Sequence, residues 1–355
     1  MADFDREQWI AEQKARMKAC ESIVIDTLEN YKENPERISE YLLFAGKFHR
    51  YSLRNQMLLQ RQNPDCTFVG GFYRFKELGY HVKKGEVGMK VFAPVTVKYL
   101  YNGNTGELIP LKEATPEQKQ ALQTGGYELR EFTNYKLETV FDISQTDCPV
   151  EDYPKLFDMG YASADHKAVA DALERYCTEQ LHCPVKTGDV RSIAVKGYYT
   201  PAEHCITLSD KLQDTGRMVT LAHEMGHAIM HSNLQKGKTV AEIEVEADAL
   251  SIMIISALGL EEIAEIPETR KRHMVQNFNA VCAACAAQTP KEPAQMADDP
   301  LMMILENVNA AFREHFSHIQ QTVEKEIALQ AEKIPSILET CHEVKPKETV
   351  EELEL

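Results

Sequence analysis

Tryptophan is nearly absent from this sequence, with Trp9 the one example in 355 residues. Long apolar runs are absent altogether: none approaches the roughly 18 residues that a membrane-spanning helix needs. The opening residues, Met1-Ala-Asp-Phe-Asp-Arg-Glu-Gln8, lack the basic-then-apolar order of a secretory signal. On these grounds we expect a cytoplasmic protein. A disulfide pattern is missing too. The nine cysteines are odd in number and scattered, unlike the framework of a small secreted fold, so they are expected as reduced thiols. Positive charge is in deficit, with 39 Lys and Arg against 55 Asp and Glu and a formal net charge of −16. That excludes a protein that coats duplex DNA through a uniformly basic surface.

Enough apolar character remains to build cores. Hydrophobic residues make up 43% and charged residues 26%, both near the globular average. The length exceeds that of an ordinary single domain. Residues 1–146 are expected to form one domain and residues 147–163, with Pro149 and Pro154, a linker. A second domain is expected over 164–275, and a helical extension with an acidic tail over 276–355. The expected class is α+β. Residues 5–31 and 38–62 have helical composition and are punctuated by Pro35 and Pro64. From Thr67 to Asp142, short β-branched and aromatic runs broken by glycine indicate a small sheet. A polar helix interrupts it near 114–123, with Thr115 as N-cap and Pro116 in the first turn. Beyond the linker the pattern predicts a helix at 164–180, strands near 193–195 and 205–208, and helices from 210 and over 240–258. From Leu301, apolar residues recur every three or four positions through Leu305, Val308, Phe312, Phe316, Ile319 and Val323, as on one face of a long helix. Its length leaves dimerisation open, and the oligomeric state is not fixed by the sequence.

Charge is distributed unevenly. Between Leu43 and Lys98 stand ten basic residues against Asp65, Glu77 and Glu86, a local net charge of +7 inside an acidic chain. Aromatic residues interleave with them: Tyr51, Phe68, Phe72, Tyr73, Phe75, Tyr80 and Phe92. Single-stranded nucleic acid is held by positive grooves that follow the phosphates and by aromatic faces on which bases stack. About half of these rings are expected in the core, because a small sheet needs them.

The sharpest chemical signal is Thr220-Leu-Ala-His-Glu-Met-Gly-His-Ala-Ile-Met-His231. His223 and His227 are four apart, so on a helix both imidazoles leave one face about 6 Å apart along the axis and can share one metal ion. Glu224, beside the first of them, is placed to take a proton from an attacking water without occupying a coordination position. A catalytic zinc needs a third protein ligand. Ala241-Glu-Ile-Glu-Val-Glu-Ala-Asp248 supplies candidates: Glu244 and Asp248 lie one helical turn apart, so Glu244 can bind zinc while Asp248 accepts from the far nitrogen of a ligand histidine. Glu246 competes with Glu244. His231 does not, because eight residues of straight helix carry it about 12 Å along the axis from His223. Tyr198 or Tyr199 is a candidate to assist an oxyanion. Cys282 and Cys285 have ligand-like spacing without a second pair and are set aside as small buried helix residues.

The pieces Gly197-Tyr-Tyr-Thr200, Ile206-Thr-Leu208, Leu221-Ala-His-Glu-Met-Gly-His-Ala228 and Glu244-Val-Glu-Ala-Asp248 resemble the ImmA/IrrE-like metallopeptidases and, more closely, the zinc domain of ArdC-type antirestriction proteins. The resemblance favours Glu244 over Glu246 as the third zinc ligand. Phe48-His-Arg-Tyr-Ser-Leu-Arg-Asn55, Gln62-Asn-Pro64, Gly71-Phe-Tyr-Arg-Phe-Lys-Glu-Leu-Gly79 and Val82-Lys-Lys-Gly-Glu-Val-Gly88 resemble the single-stranded-DNA-binding domain of the ArdC type. The family often has Trp where this chain has Phe75. The resemblance implies a DNA face with Arg50, Tyr51, Arg54, Asn55, Arg61, Phe72, Phe75, Lys83, Lys84 and Lys90 as candidate contacts. It also implies an antirestriction role for a mobile genetic element during conjugative transfer. Two other functions are compatible with the motifs: an ImmA-like regulatory protease that cuts a repressor, and a DNA-binding protein whose zinc is structural.

Overall fold

A computed structural model describes residues 6–34, 37–150, 163–188, 196–232, 237–260, 275–281, 283 and 299–333. The helices are α1 (Arg6–Glu33), α2 (Arg37–Lys47), α3 (Leu53–Gln62), α4 (Phe72–Glu77), α5 (Pro116–Ala121), α6 (Ser163–Glu179), α7 (Asp214–Met230), α8 (Val240–Ala257) and α9 (Pro300–Lys333). The strands are β1 (Val69–Gly71), β2 (Met89–Tyr101), β3 (Leu108–Pro110), β4 (Glu128–Asp142), β5 (Val185–Gly188), β6 (Gly197–Thr200) and β7 (Cys205–Ser209). The class is α+β, as expected. The chain divides into two units, residues 1–156 with 278–306 and residues 157–277 with 307–355, so the C-terminal stretch expected as a separate extension contributes to both.

In the first unit an antiparallel sheet runs in the order β1-β4-β2-β3. The long β2–β4 ladder extends from Met89 opposite Val140 to Tyr101 opposite Glu128. The end near Met89 and Val140 is covered by Phe44, Phe48, Leu59, Cys66, Val69 and Val91, which form a core with it. α1 presents Cys20, Val24, Leu28 and Tyr31 inward at helical spacing. The single helix expected over 38–62 is instead two. α3 starts afresh because the Ser52 hydroxyl caps the Asn55 N–H at 3.4 Å. α4 is a second departure, since an aromatic run expected as strand forms one and a half helical turns that bury Phe75 alone. The polar helix is as expected: α5 has Thr115 and Gln118 in a reciprocal capping box and Pro116 at its start.

Two buried polar side chains tie this sheet to its surroundings. Asp142, at the end of β4, accepts from the backbone N–H groups of Thr67 (2.7 Å) and Phe68 (3.1 Å), fixing the entry to β1. Asn55 on α3 clamps β2: its amide donates to the Phe92 carbonyl at 2.8 Å and its carbonyl accepts from the Phe92 N–H at 2.8 Å.

The second unit holds a three-stranded sheet, β5-β7-β6, parallel between β5 and β7 and antiparallel between β7 and β6. The strand expected near 193–195 and the acidic tail lie outside the described residues, as do Cys282 and Cys285. β6 packs on α7 through Gly197, where a Cβ would come within 2.9 Å of the Thr220 methyl. α6 and α8 flank α7, and Leu221, Ala222, Met225, Val245, Ala249 and Ile252 are buried along the packed faces. No described helix is long and apolar enough to cross a membrane.

Asn55→Ala strands two buried backbone groups of Phe92, each costing about 1–3 kcal/mol when unsatisfied. We therefore expect a stability loss of about 2–4 kcal/mol, read from the urea midpoint at unchanged m-value. A loss below about 0.5 kcal/mol would contradict the clamp.

Candidate metal centre and nucleic-acid face

α7 carries His223 and His227 one turn apart, and α8 brings Glu244 across from them. The two Nε2 atoms are 3.2 Å apart, and the Glu244 oxygens lie 3.6 Å from Nε2 of His223 and 3.7 Å from Nε2 of His227. One atom from each of these residues falls within a sphere of mutual distances under 4.8 Å, a group able to hold a metal ion. Two donors on one tetrahedral zinc, each about 2.0–2.1 Å from it, stand roughly 3.3 Å apart, so the spacing fits.

The proton positions fit as well. His223 Nδ1 faces Asp248 Oδ1 at 2.9 Å, and a carboxylate only accepts, so the proton of a neutral His223 sits on Nδ1. His227 Nδ1 faces Nδ1 of His231 at 3.1 Å, and that ring in turn points Nε2 at Glu246 Oε2, 2.9 Å away. Two imidazole lone pairs and a carboxylate thus converge on one point with their hydrogens turned outward, an arrangement that a cation satisfies and a proton does not. Asp248 takes the position anticipated for it. Glu246, the competing ligand, is 0% exposed and committed to His231 and to Lys238 Nζ, 2.6 Å from each of its oxygens. Glu224 is buried on α7 next to His223. Tyr199 donates to His204 Nδ1 at 2.7 Å, while His204 Nε2 reaches the Leu181 carbonyl at 2.8 Å. That hydroxyl is therefore engaged in its own hairpin and not offered to an oxyanion; Tyr198 is exposed.

Burial, then the neighbouring His223, pushes His227 down to about 4. The facing imidazoles, His223 first, hold Glu244 below the usual carboxylate range. Burial pushes Glu246 up, but the hydrogen bonds from His231 and Lys238 outweigh it and keep it lowered.

The basic stretch sorts into exposed and structural residues. Arg50, Arg61, Lys83 and Lys84 are exposed, and Arg54 is half-buried on α3. Lys83 Nζ also reaches the Ser144 carbonyl at 3.1 Å, and half-buried Lys90 bonds Thr139 on the neighbouring strand. Phe72 and Tyr73 are 48% and 77% exposed and meet edge to face with centroids 5.8 Å apart. Three candidates are corrected. Phe75 is 0% exposed and packs with Ile143 and Cys148, so no base can stack on it. Asn55 is spent on the Phe92 backbone. Tyr51 is half-buried, with its hydroxyl donated to the Val69 carbonyl at 3.1 Å. Tyr73 is an exposed ring that the contact set omitted, although its place among the interleaved aromatics and cations was a signal for it.

Comparison with known proteins matches residues 16–141 to the N-terminal domain of anti-restriction factor ArdC and residues 178–283 to the IrrE N-terminal-like domain of peptidase family M78. The two matched domains follow one another along the chain, the ArdC-like one first and the IrrE-like one second. An uncharacterized protein of Bacillus anthracis is 28% identical over 263 residues, which cover 70% of this chain and 45% of that protein. The chain thus spans less than half the length of this relative. Two crystal structures of the antirestriction protein ArdC from plasmid R388, metal-free and Mn(II)-bound, are 18% identical to it. The alignments cover 78% and 77% of this chain and 86% and 85% of those, with TM-scores of 0.44 and 0.42.

The shift at His227 has a stability consequence. Its folded-state value near 4 lies below the unfolded value near 6.5, so as pH falls through that window the unfolded state takes up the proton first. Lowered Glu244 acts in the same direction at still lower pH, because the folded form is favoured while it stays ionised. We expect the melting midpoint of chelator-treated protein to fall as pH drops from about 6.5 to about 4, and His227→Gln to flatten that slope. Differential scanning fluorimetry across pH tests this; a slope unchanged by the substitution contradicts it.

Proposed function

We propose that this chain is an antirestriction-type protein of a mobile genetic element. In it, the N-terminal domain binds single-stranded DNA and the IrrE-like domain holds a zinc ion for peptide hydrolysis. The observation that carries the metal half is the convergence of His223, His227 and Glu244 with both ring protons directed away from the shared point. The match to the ArdC N-terminal domain, with exposed Phe72 and Tyr73 among exposed cations, supports the DNA half.

His223, His227 and Glu244 would hold the ion. When bound, a zinc ion supplies Lewis acidity that polarises a peptide carbonyl and lowers the pKa of a water molecule. Glu224 accepts the proton of the attacking water and returns it to the departing amine. Asp248 keeps the His223 proton on Nδ1 so that Nε2 remains a donor of electrons. The IrrE-like match also favours a second function for the same site, regulated cleavage of a repressor protein, in which DNA binding is not needed for turnover.

Purified protein should contain about one zinc per chain. We expect His223→Ala, His227→Ala and Glu244→Ala to lose it and Glu224→Gln to keep it, because only the first three lend lone pairs to the metal. Elemental analysis of the variants decides this. Full occupancy in Glu244→Ala with loss in Glu246→Ala would move the third ligand.

For the DNA half, affinity for a single-stranded oligonucleotide should fall with salt at a slope of about −0.7 per phosphate contacted, and single strands should outcompete duplex. Arg50→Ala and Lys83→Ala should each flatten that slope by nearly one contact. Phe72→Ala should weaken binding by about 1–3 kcal/mol with little change of slope. Fluorescence anisotropy across salt concentrations reads both. Absence of single-strand binding at low salt would leave the repressor-protease function in front.

A further inference from the structure

One buried line of polar groups in the second unit has no part in the chemistry described above. It starts at Lys238, whose ammonium donates to both oxygens of Glu246 at 2.6 Å. Glu246 faces His231 Nε2 at 2.9 Å, and His231 Nδ1 faces His227 Nδ1 at 3.1 Å. Glu246 is fully buried and His231 nearly so.

Donor and acceptor rules fix the protons along this line. A carboxylate already paired with an ammonium is ionised and only accepts, so the proton of a neutral His231 lies on Nε2. Nδ1 of His231 is then bare and accepts the Nδ1–H of His227. That leaves Nε2 of His227 without a proton, 3.2 Å from Nε2 of His223. Building on the metal-centre assignment above, we propose that Lys238, Glu246 and His231 form a positioning relay that holds His227 in its metal-binding tautomer and ring orientation. His223 receives the same control from Asp248 directly; His227 receives it at one remove, through a second imidazole.

A purely structural role is a poor account of these residues. Burying a carboxylate completely, as at Glu246, is costly even beside the partly exposed Lys238, and an apolar replacement of similar shape is often as stable. The line also terminates on the ring edge of a ligand histidine, where an outer partner characteristically changes metal affinity 10–100-fold.

The test uses the full chain, stripped with a chelator and titrated with Zn2+ against a chromophoric competitor, with melting of the metal-free forms measured in parallel. His231→Ala and Glu246→Leu should each weaken zinc binding about 10–100-fold, and the double variant should be little worse than either, as groups acting in series require. His231→Asn should recover most of the affinity, because its Oδ1 stands in for Nδ1 as the acceptor. His231→Gln places its polar atoms at the Nε2 end and should not. This amide pair carries the test if the alanine variant does not fold. Folded His231→Ala with wild-type affinity, or equal affinities for the Asn and Gln variants, would overturn the relay. A wild-type protein that is folded yet takes up no zinc overturns the metal-centre assignment first and the relay with it. That result differs from one in which zinc binds and the variants do not matter.

Discussion

Gly226 on α7 lies so close to α8 that a Cβ at this position would stand 2.9 Å from the Ala247 carbonyl oxygen and 3.2 Å from its Cα. The pivot falls between His223 and His227 on one helix and among Glu244, Glu246 and Asp248 on the other. A metal centre whose ligands come from two helices depends on their separation, since a carboxylate has a short reach. Ala247 is a small partner to Gly226, and together they let backbone meet backbone. Any larger side chain at 226 would push the helices apart and withdraw Glu244 from the imidazoles. Gly226, inside the His-Glu-x-x-His signature, thus sets the distance between the candidate ligands on the two helices.

The acids of α8 show how that approach is used. Glu244 and Asp248 are one turn apart and so share a face: one meets both histidine Nε2 atoms and the other meets His223 Nδ1. Glu246 is rotated by roughly 200° from Glu244 at about 100° per residue, and it leaves the helix in another direction, toward His231 and Lys238. Three carboxylates within five residues would repel one another strongly in a dry interior. Here Glu246 meets Lys238 and His231, Asp248 meets His223 Nδ1, and Glu244 faces the two Nε2 atoms, so the charges are separated by direction.

Much of this centre was legible in the sequence because helical geometry is regular. The i, i+4 histidine pair, the exclusion of His231 as a ligand and the one-turn spacing of Glu244 and Asp248 follow from rise and rotation, while the preference for Glu244 over Glu246 came from the resemblance. The relay through Glu246 was not legible, since Lys238 precedes α8 and lies outside the helical repeat that fixes the other partners. In the first unit the helix over 38–62 failed as a single element for a local reason. Ser52 offers the backbone a cap, and a capping side chain competes with an uninterrupted helix even where apolar residues continue. Phe75 was misassigned because sequence gives aromatic content but not direction. In α4, Phe72 and Tyr73 point outward and Phe75 inward, although all three carry the same signal of rings among cations.

The same limitation bears on charge. A net charge of −16 describes the chain, but a phosphate strand senses only what lies within about 8–10 Å of it at physiological ionic strength. On the β2–β4 ladder, cations are met by acids at short range: Lys98 with Glu131 at 2.9 Å and Lys136 with Glu138 at 2.7 Å. Around the exposed rings, Arg74 pairs with Glu77 at 3.5 Å, and both side chains are well exposed, where such a pair contributes little and yields to a competing anion. Lys83 rests on a carbonyl, which offers a dipole and no countercharge. Local pairing, not total charge, therefore decides where an anionic strand gains most. The cations around α4 and the turn at Lys83 and Lys84 are the less closely matched by acids, so the proposed strand contact would fall there and not on the distal ribbon.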